Sequence, residues 1–183
     1  MLFHASPIPN IKTLTPHVSN HGKPLIYFSS KPENTLVYLS NAVEKCCQEK
    51  GFVHSGVYTK WGPYGFNGKG ILTLDEYYPN ALTDTYKGVS GYIYVVEETE
   101  KIVPLGEIPF AFISEKDVEI KGCEFVTDAY SALIRSAEEG RIIITEYKDQ
   151  TPAKLEWIEK TVKKEYEEGS EEYRFFLRNK FAL

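Results

Sequence analysis

The sequence predicts an α+β fold with a largely antiparallel sheet, on three observations. Runs rich in β-branched and aromatic residues recur up to residue 147, as in Leu25–Phe28, Tyr92–Val96 and Arg141–Tyr147. Two helical patterns close the sequence, over 152–168 and 170–181. Before them, strands and helices mix without the regular alternation that builds a parallel sheet. The 183 residues, 42% of them hydrophobic, suit one globular domain with its own core.

Leu2–Ala5 reads as a short strand stopped by Pro7 and Pro9. Ile11–Pro24 is polar and loop-like, and Leu25–Phe28 is a compact apolar strand. Ser30-Lys31-Pro32-Glu33 has the form of a capping box. Leu36, Leu39, Val43 and Cys46 follow at helical spacing, which predicts a helix over 31–49 ended by Gly51. Val53–Thr59 alternates weakly, and Trp61–Gly70, with four glycines and a proline, reads as a long turn or lid-like loop. Tyr92–Val96 and Ile108–Ile113 are strands, and Val118–Val126 is another, interrupted at Gly122. Thr127-Asp128 caps a helix that runs to about Glu139 and stops at Gly140. Arg141–Tyr147 is a strand. In the tail, Leu155, Ile158 and Val162 give the first helix an apolar stripe, while seven acids cancel seven bases.

The balance of 26 acids against 21 bases gives a net charge of −5, which disfavours general nucleic-acid binding. No uncharged apolar run approaches the ~20 residues that span a bilayer. Met1–His4 lacks the basic and apolar regions of a signal peptide. The three cysteines are odd in number, so they read as reduced thiols, with Cys46 and Cys47 packed in the first helix. A cytoplasmic protein without a membrane partner is expected.

His4, His17, His21 and His54 have no ligand spacing, and no metal is expected. The glycine loop is not a phosphate loop, because Lys69 is followed by Gly70 and a strand-like Ile71-Leu72-Thr73-Leu74. Ser90, in Gly88-Val89-Ser90-Gly91, falls one residue short of a nucleophile elbow. The first fifty residues are more informative. His4-Ala5-Ser6 ends one strand, Tyr27 sits on the next, and Thr35 and Tyr38 lie one helical turn apart. Such a set can bind a flat, amide-bearing ring by stacking and backbone hydrogen bonds. The same tyrosines can equally be core aromatics.

The ordered pieces resemble the ADP-ribosyltransferase superfamily, in the His-Tyr-Glu branch that includes the poly(ADP-ribose) polymerases. That branch carries His-Gly-Ser, then Gly-x-Gly-Ile-Tyr-Phe-Ala, then Ser-x-x-Tyr on a helix. This chain has His4-Ala5-Ser6, then Gly22-Lys23-Pro24-Leu25-Ile26-Tyr27-Phe28-Ser29, then Thr35-Leu36-Val37-Tyr38, with Tyr38 eleven positions after Tyr27 as in the family pattern. The match covers about residues 2–40, and the remainder agrees only in general layout. Ala5 in place of glycine brings a methyl group towards the ligand. Pro24 in place of the second glycine removes a backbone donor.

The resemblance implies an ADP-ribosyltransferase-like split antiparallel β-sheet with flanking helices and a helical C-terminal tail. It implies one domain over 1–183, with 151–183 packed on it. It implies NAD as substrate, no metal, and transfer of ADP-ribose to an unknown acceptor with release of nicotinamide. His4 would bond a ribose hydroxyl and Tyr27 would be the triad tyrosine. Ala5 and Ser6 would belong to the nicotinamide grip, with Thr35 in the serine's place and Tyr38 stacked on the ring. The triad glutamate, which begins a late strand in the family, would be Glu115 or else Glu119, with Glu124 behind them. A carboxylate there would stabilise the oxocarbenium-like charge that develops as the nicotinamide–ribose bond breaks. The alternative is a catalytically degenerate member that binds a nucleotide or a partner. An RNA 2′-phosphate transferase of this fold needs more basic residues than Lys12, Lys23 and Lys31 supply.

Overall fold

The computed structural model describes residues 1–18, 22–59, 64–181 and 183. Strand β1 (Leu2–Ser6) is followed by the short β2 (Thr13–Leu14) and β3 (His17–Val18), and by β4 (Pro24–Ser29). A 3-10 segment, Pro32–Leu39, leads into helix α1 (Ala42–Lys50). Then come β5 (Tyr64–Phe66), β6 (Leu72–Asp75), α2 (Ala81–Tyr86), β7 (Gly91–Val96), β8 (Val103–Pro104), β9 (Ala111–Ser114), β10 (Val118–Glu119) and β11 (Gly122–Val126). Last are α3 (Ala129–Glu138), β12 (Ile142–Thr145), α4 (Pro152–Glu168) and α5 (Glu171–Lys180).

The fold is α+β. The main sheet runs β11-β7-β1-β4-β9-β8, with β3 also on β4, and its pairings are antiparallel. β10 pairs with β2 in a small sheet of its own. A third sheet, β12-β6-β5, contains a parallel pair, β12 with β6, which departs from the expected antiparallel layout. Burial organises the main sheet: Ile93, Tyr94 and Val96 of β7 are buried, and the Tyr94 ring is 1% exposed. Its hydroxyl donates to the Ile8 carbonyl at 2.7 Å and accepts from the Ile11 amide at 3.2 Å, which pins the loop after β1.

The continuous helix expected over 31–49 is broken in two. Ser40 is extended (φ −117°, ψ 138°), and its hydroxyl donates to the Thr85 carbonyl at 2.7 Å. Asn41 then caps a new helix by accepting from the Glu44 amide. Residues 33–37 and Leu39 are all buried, so tertiary packing overrides the helical stripe. The capping box does not form either: the segment is preceded by Lys31, not Ser30, at the cap position, and no side chain caps it.

The strand expected over Val118–Val126 is interrupted at Ile120 and Lys121 and not at Gly122, which opens β11 opposite Val95. That break separates β10, paired with β2, from β11, paired with β7. The strand expected from Ile108 starts only at Ala111, because Pro109 lacks an N–H and Phe110 has φ 61°. Part of the glycine loop is a hairpin: Tyr64–Phe66 pairs with Leu72–Leu74, and the Asn67 side chain accepts from the Lys69 and Ile71 amides at the turn. Trp61, Gly62 and Pro63 of that loop, and His21, lie outside the described residues.

The tail helices pack as their stripe predicts. Ile158 and Val162 of α4 and Phe176 and Leu177 of α5 share a buried cluster with Val43, Cys46 and Cys47 of α1. Burial raises the pKa of both thiols, which keeps them protonated. Among the described residues no helix is long and apolar enough to cross a membrane.

Candidate functional site

The site begins where two neighbouring strands part. β1 and β4 pair only at Phe3 and Ser29. Beyond that pair the His4 side chain, not the backbone ladder, joins the strands: Nδ1 stands 2.9 Å from the Tyr27 carbonyl oxygen. A carbonyl only accepts, so Nδ1 carries the proton and Nε2 keeps a free lone pair. Burial lowers the imidazole pKa; the bond to Tyr27 opposes this and His17 adds to it. His4 is therefore neutral at pH 7.

A cleft with about 540 Å³ of empty space, the open solvent at its mouth included, lies against this junction. His4, Ala5, Tyr27, Asn34, Thr35 and Tyr38 line it. Phe66 and the turn Leu105–Ala111 supply further wall, through Leu105, Ile108, Pro109 and Ala111. A second cavity, about 1,070 Å³ to its mouth, shares His4 and Tyr27 and adds Ser6, Thr15, His17 and Tyr58. His4 and Tyr27 thus stand at the boundary of two adjoining spaces.

The 3-10 segment places the remaining groups. Thr35 is buried, and its hydroxyl donates to the Pro32 carbonyl at 2.7 Å. Tyr38 is 42% exposed, the most open residue of that segment. Its ring packs edge-on to Tyr64 (5.9 Å between centroids, 77°) and tilted against Tyr58 (6.2 Å, 52°). Tyr64 shares hydrogen bonds with both phenols, and desolvation raises the pKa of all three, so the cluster stays neutral. Asn34, 5% exposed, has no partner for either its Nδ2 or its Oδ1 among the described residues.

The structure therefore brings His4, Ala5, Tyr27, Thr35 and Tyr38 into one cleft and sets Ser6 in the adjoining cavity. It does not bring Glu115 or Glu119 there. Both are exposed and line neither space. Pro109 and Ala111, at the start of β9, line the cleft, whereas Glu115 follows the other end of that strand and leads into β10, which pairs with β2 in the small sheet. Glu119 sits opposite Thr13 in the small sheet, and Glu124 lies exposed on β11 opposite Ile93. None of the described residues lining either space is a carboxylate. Glu107 is exposed on the turn between Leu105 and Ile108, both of which line the cleft. Pro24 opens β4 opposite Val18 and lines neither space.

Sequence reasoning missed Asn34, Tyr58, Phe66 and the turn at 105–109. None of them left a legible sign; Asn34 itself stands in the polar stretch Glu33-Asn34-Thr35. Among the described residues no group of three or more His, Cys, Asp or Glu could hold a metal ion. No family model, no curated protein and no solved structure matches the chain.

Proposed function

We propose that this chain is an ADP-ribosyltransferase-like protein that binds NAD in the cleft between β1, β4 and the 3-10 segment. In this reading the protein transfers ADP-ribose to an acceptor and releases nicotinamide. The observation that carries it is the convergence of His4, Ala5, Tyr27, Thr35 and Tyr38 on one cleft where β1 and β4 separate. The nicotinamide ring lies against Tyr38, and the adjoining space past His4 receives the rest of the dinucleotide. The neutral Nε2 of His4 accepts from a ribose hydroxyl, since its Nδ1 proton is committed to Tyr27.

The step breaks the C–N bond between ribose and nicotinamide. Both electrons leave with nicotinamide, which neutralises its positive ring, and the acceptor attacks the ribose carbon and loses a proton. A carboxylate beside the sugar stabilises the developing positive charge. Glu107 is the carboxylate on the turn that walls the cleft, and it takes that place in this proposal.

A second reading is favoured by the lining itself, which holds no carboxylate. In it the chain binds NAD and leaves the glycosidic bond intact. Incubation of pure protein with NAD separates the two. Release of nicotinamide supports transfer or hydrolysis. A raised melting temperature without release supports binding alone, with ~2.7 kcal/mol of stabilisation at a hundredfold excess over the dissociation constant. Neither effect overturns both.

A further inference from the structure

We infer that Asn34 is the specificity-determining group of the cleft, and that it reads a planar primary carboxamide on the ligand. The inference rests on the NAD reading above, in which that carboxamide belongs to nicotinamide.

Three observations lead to it. Asn34 is 5% exposed, and both its amide nitrogen and its amide oxygen lack partners among the described residues. The other buried side-chain atoms without a hydrogen bond there, Thr85 Oγ1 and His54 Nε2 (3.5 Å from Glu172 Oε2), are single atoms outside the cleft lining. A buried carboxamide with neither hydrogen bond made is a standing cost, which any apolar residue would avoid. Its immediate neighbours Glu33 and Thr35 are also buried and polar, and of the three only Asn34 has both polar side-chain atoms buried and without a hydrogen bond among the described residues. Its retention is explained by a partner that arrives from the cleft.

The second observation concerns Thr35. Its hydroxyl proton is committed to the Pro32 carbonyl at 2.7 Å, so it faces a ligand only as an acceptor. A ligand carbonyl in this corner therefore finds no donor on Thr35. The Nδ2 of Asn34, on the adjacent residue, supplies one.

The third is chemical complementarity. A primary carboxamide has N–H donors beside one carbonyl acceptor, and so does Asn34. Two such groups can form two hydrogen bonds edge to edge, with Nδ2 donating to the ligand carbonyl and Oδ1 accepting from the ligand amide. Thr35 can accept the ligand's remaining N–H. Asn34's amide atoms are sealed from solvent in this structure, so the side chain turns towards the entering ring. No existing side-chain bond is lost in that turn, because it has none to lose.

Calorimetric titration of nicotinamide and of 3-acetylpyridine into wild type, Asn34→Ala and Tyr38→Ala tests this. The two probes share the ring and the carbonyl, but 3-acetylpyridine lacks the N–H donors. Wild type is expected to prefer nicotinamide by ten-fold or more, as polar sites reject analogues that leave their groups unpaired. In Asn34→Ala the preference falls to within about twofold, because the paired amide is gone. Tyr38→Ala weakens both probes and keeps the preference. If nicotinamide binds wild type and the preference survives in Asn34→Ala, the assignment to Asn34 is overturned and the NAD reading stands. If neither probe nor NAD binds wild type, both fall. Melting of Asn34→Ala gives an independent readout: no loss of melting temperature is expected, and a marked drop would show that the amide serves the fold.

Discussion

The imidazole Nδ1 of His4 lies 2.9 Å from the main-chain carbonyl oxygen of Tyr27, across the gap where β1 and β4 cease to pair. One hydrogen bond therefore sets the tautomer of a histidine and fixes the separation of two strands that wall the cleft. It also ties the first two pieces of the sequence pattern together in space.

The His4 titration follows from this setting. Burial, the largest influence, lowers its pKa from 6.5, and His17 adds to the lowering. The unfolded chain then takes up the proton first as pH falls. The stability this group contributes is complete above 6.5 and declines as pH drops towards the folded value. NMR of the His4 ring should give a midpoint below 6.5, and His17→Gln should move it upward. A midpoint at or above 6.5 in wild type would contradict the burial argument.

Nicotinamide release should depend on the turn that walls the cleft and not on the far end of β9. Glu107→Gln is expected to lower the rate by ~10²-fold or more, in line with loss of one charge-stabilising group. Glu115→Gln and Glu119→Gln should stay within about twofold of wild type, since both side chains are exposed outside the cleft. Equal loss in all three would remove Glu107 from its assigned place.

How much of this could be read in the sequence depends on which interactions are local. His4, Tyr27, Thr35 and Tyr38 were legible because order and spacing carry them, and they do meet in one cleft. The α3 cap at Asp128 was legible because it is a local bond, from the Ser131 amide at 2.7 Å. The break at Ser40 was not, because its partner is Thr85, forty-five residues away. The parallel pairing of β12 with β6 is likewise non-local. The acidic position failed for a non-local reason as well: the segment that Glu115 begins forms β10, which pairs with β2 in a separate small sheet.

Gly91 tests the close approach behind the cleft. A Cβ there would stand 2.6 Å from Leu39 Cδ2 and 3.1 Å from the Ser6 carbonyl oxygen. Leu39 ends the 3-10 segment that carries Asn34, Thr35 and Tyr38. Gly91→Ala should destabilise the protein by ~1–3 kcal/mol through overpacking. Denaturant unfolding would measure it, and an unchanged midpoint would mean that the segment can shift freely.

The tail is expected to be structural. Phe176 is fully buried between α1 and α4 side chains such as Val43 and Val162. Phe176→Ala should cost ~3–5 kcal/mol, read by the same unfolding experiment. A loss under about 1 kcal/mol would show that α5 contributes little to the core.

The central claim is that the cleft binds NAD through Tyr38, and calorimetric titration of NAD into wild type and Tyr38→Ala tests it most directly. One saturable site is expected for wild type. Loss of ring stacking in Tyr38→Ala should weaken it by ~1–3 kcal/mol, roughly five- to 150-fold. Tyr38 is 42% exposed, so the variant should still fold. The absence of saturable binding to wild type, or equal affinity in the two proteins, would contradict the account.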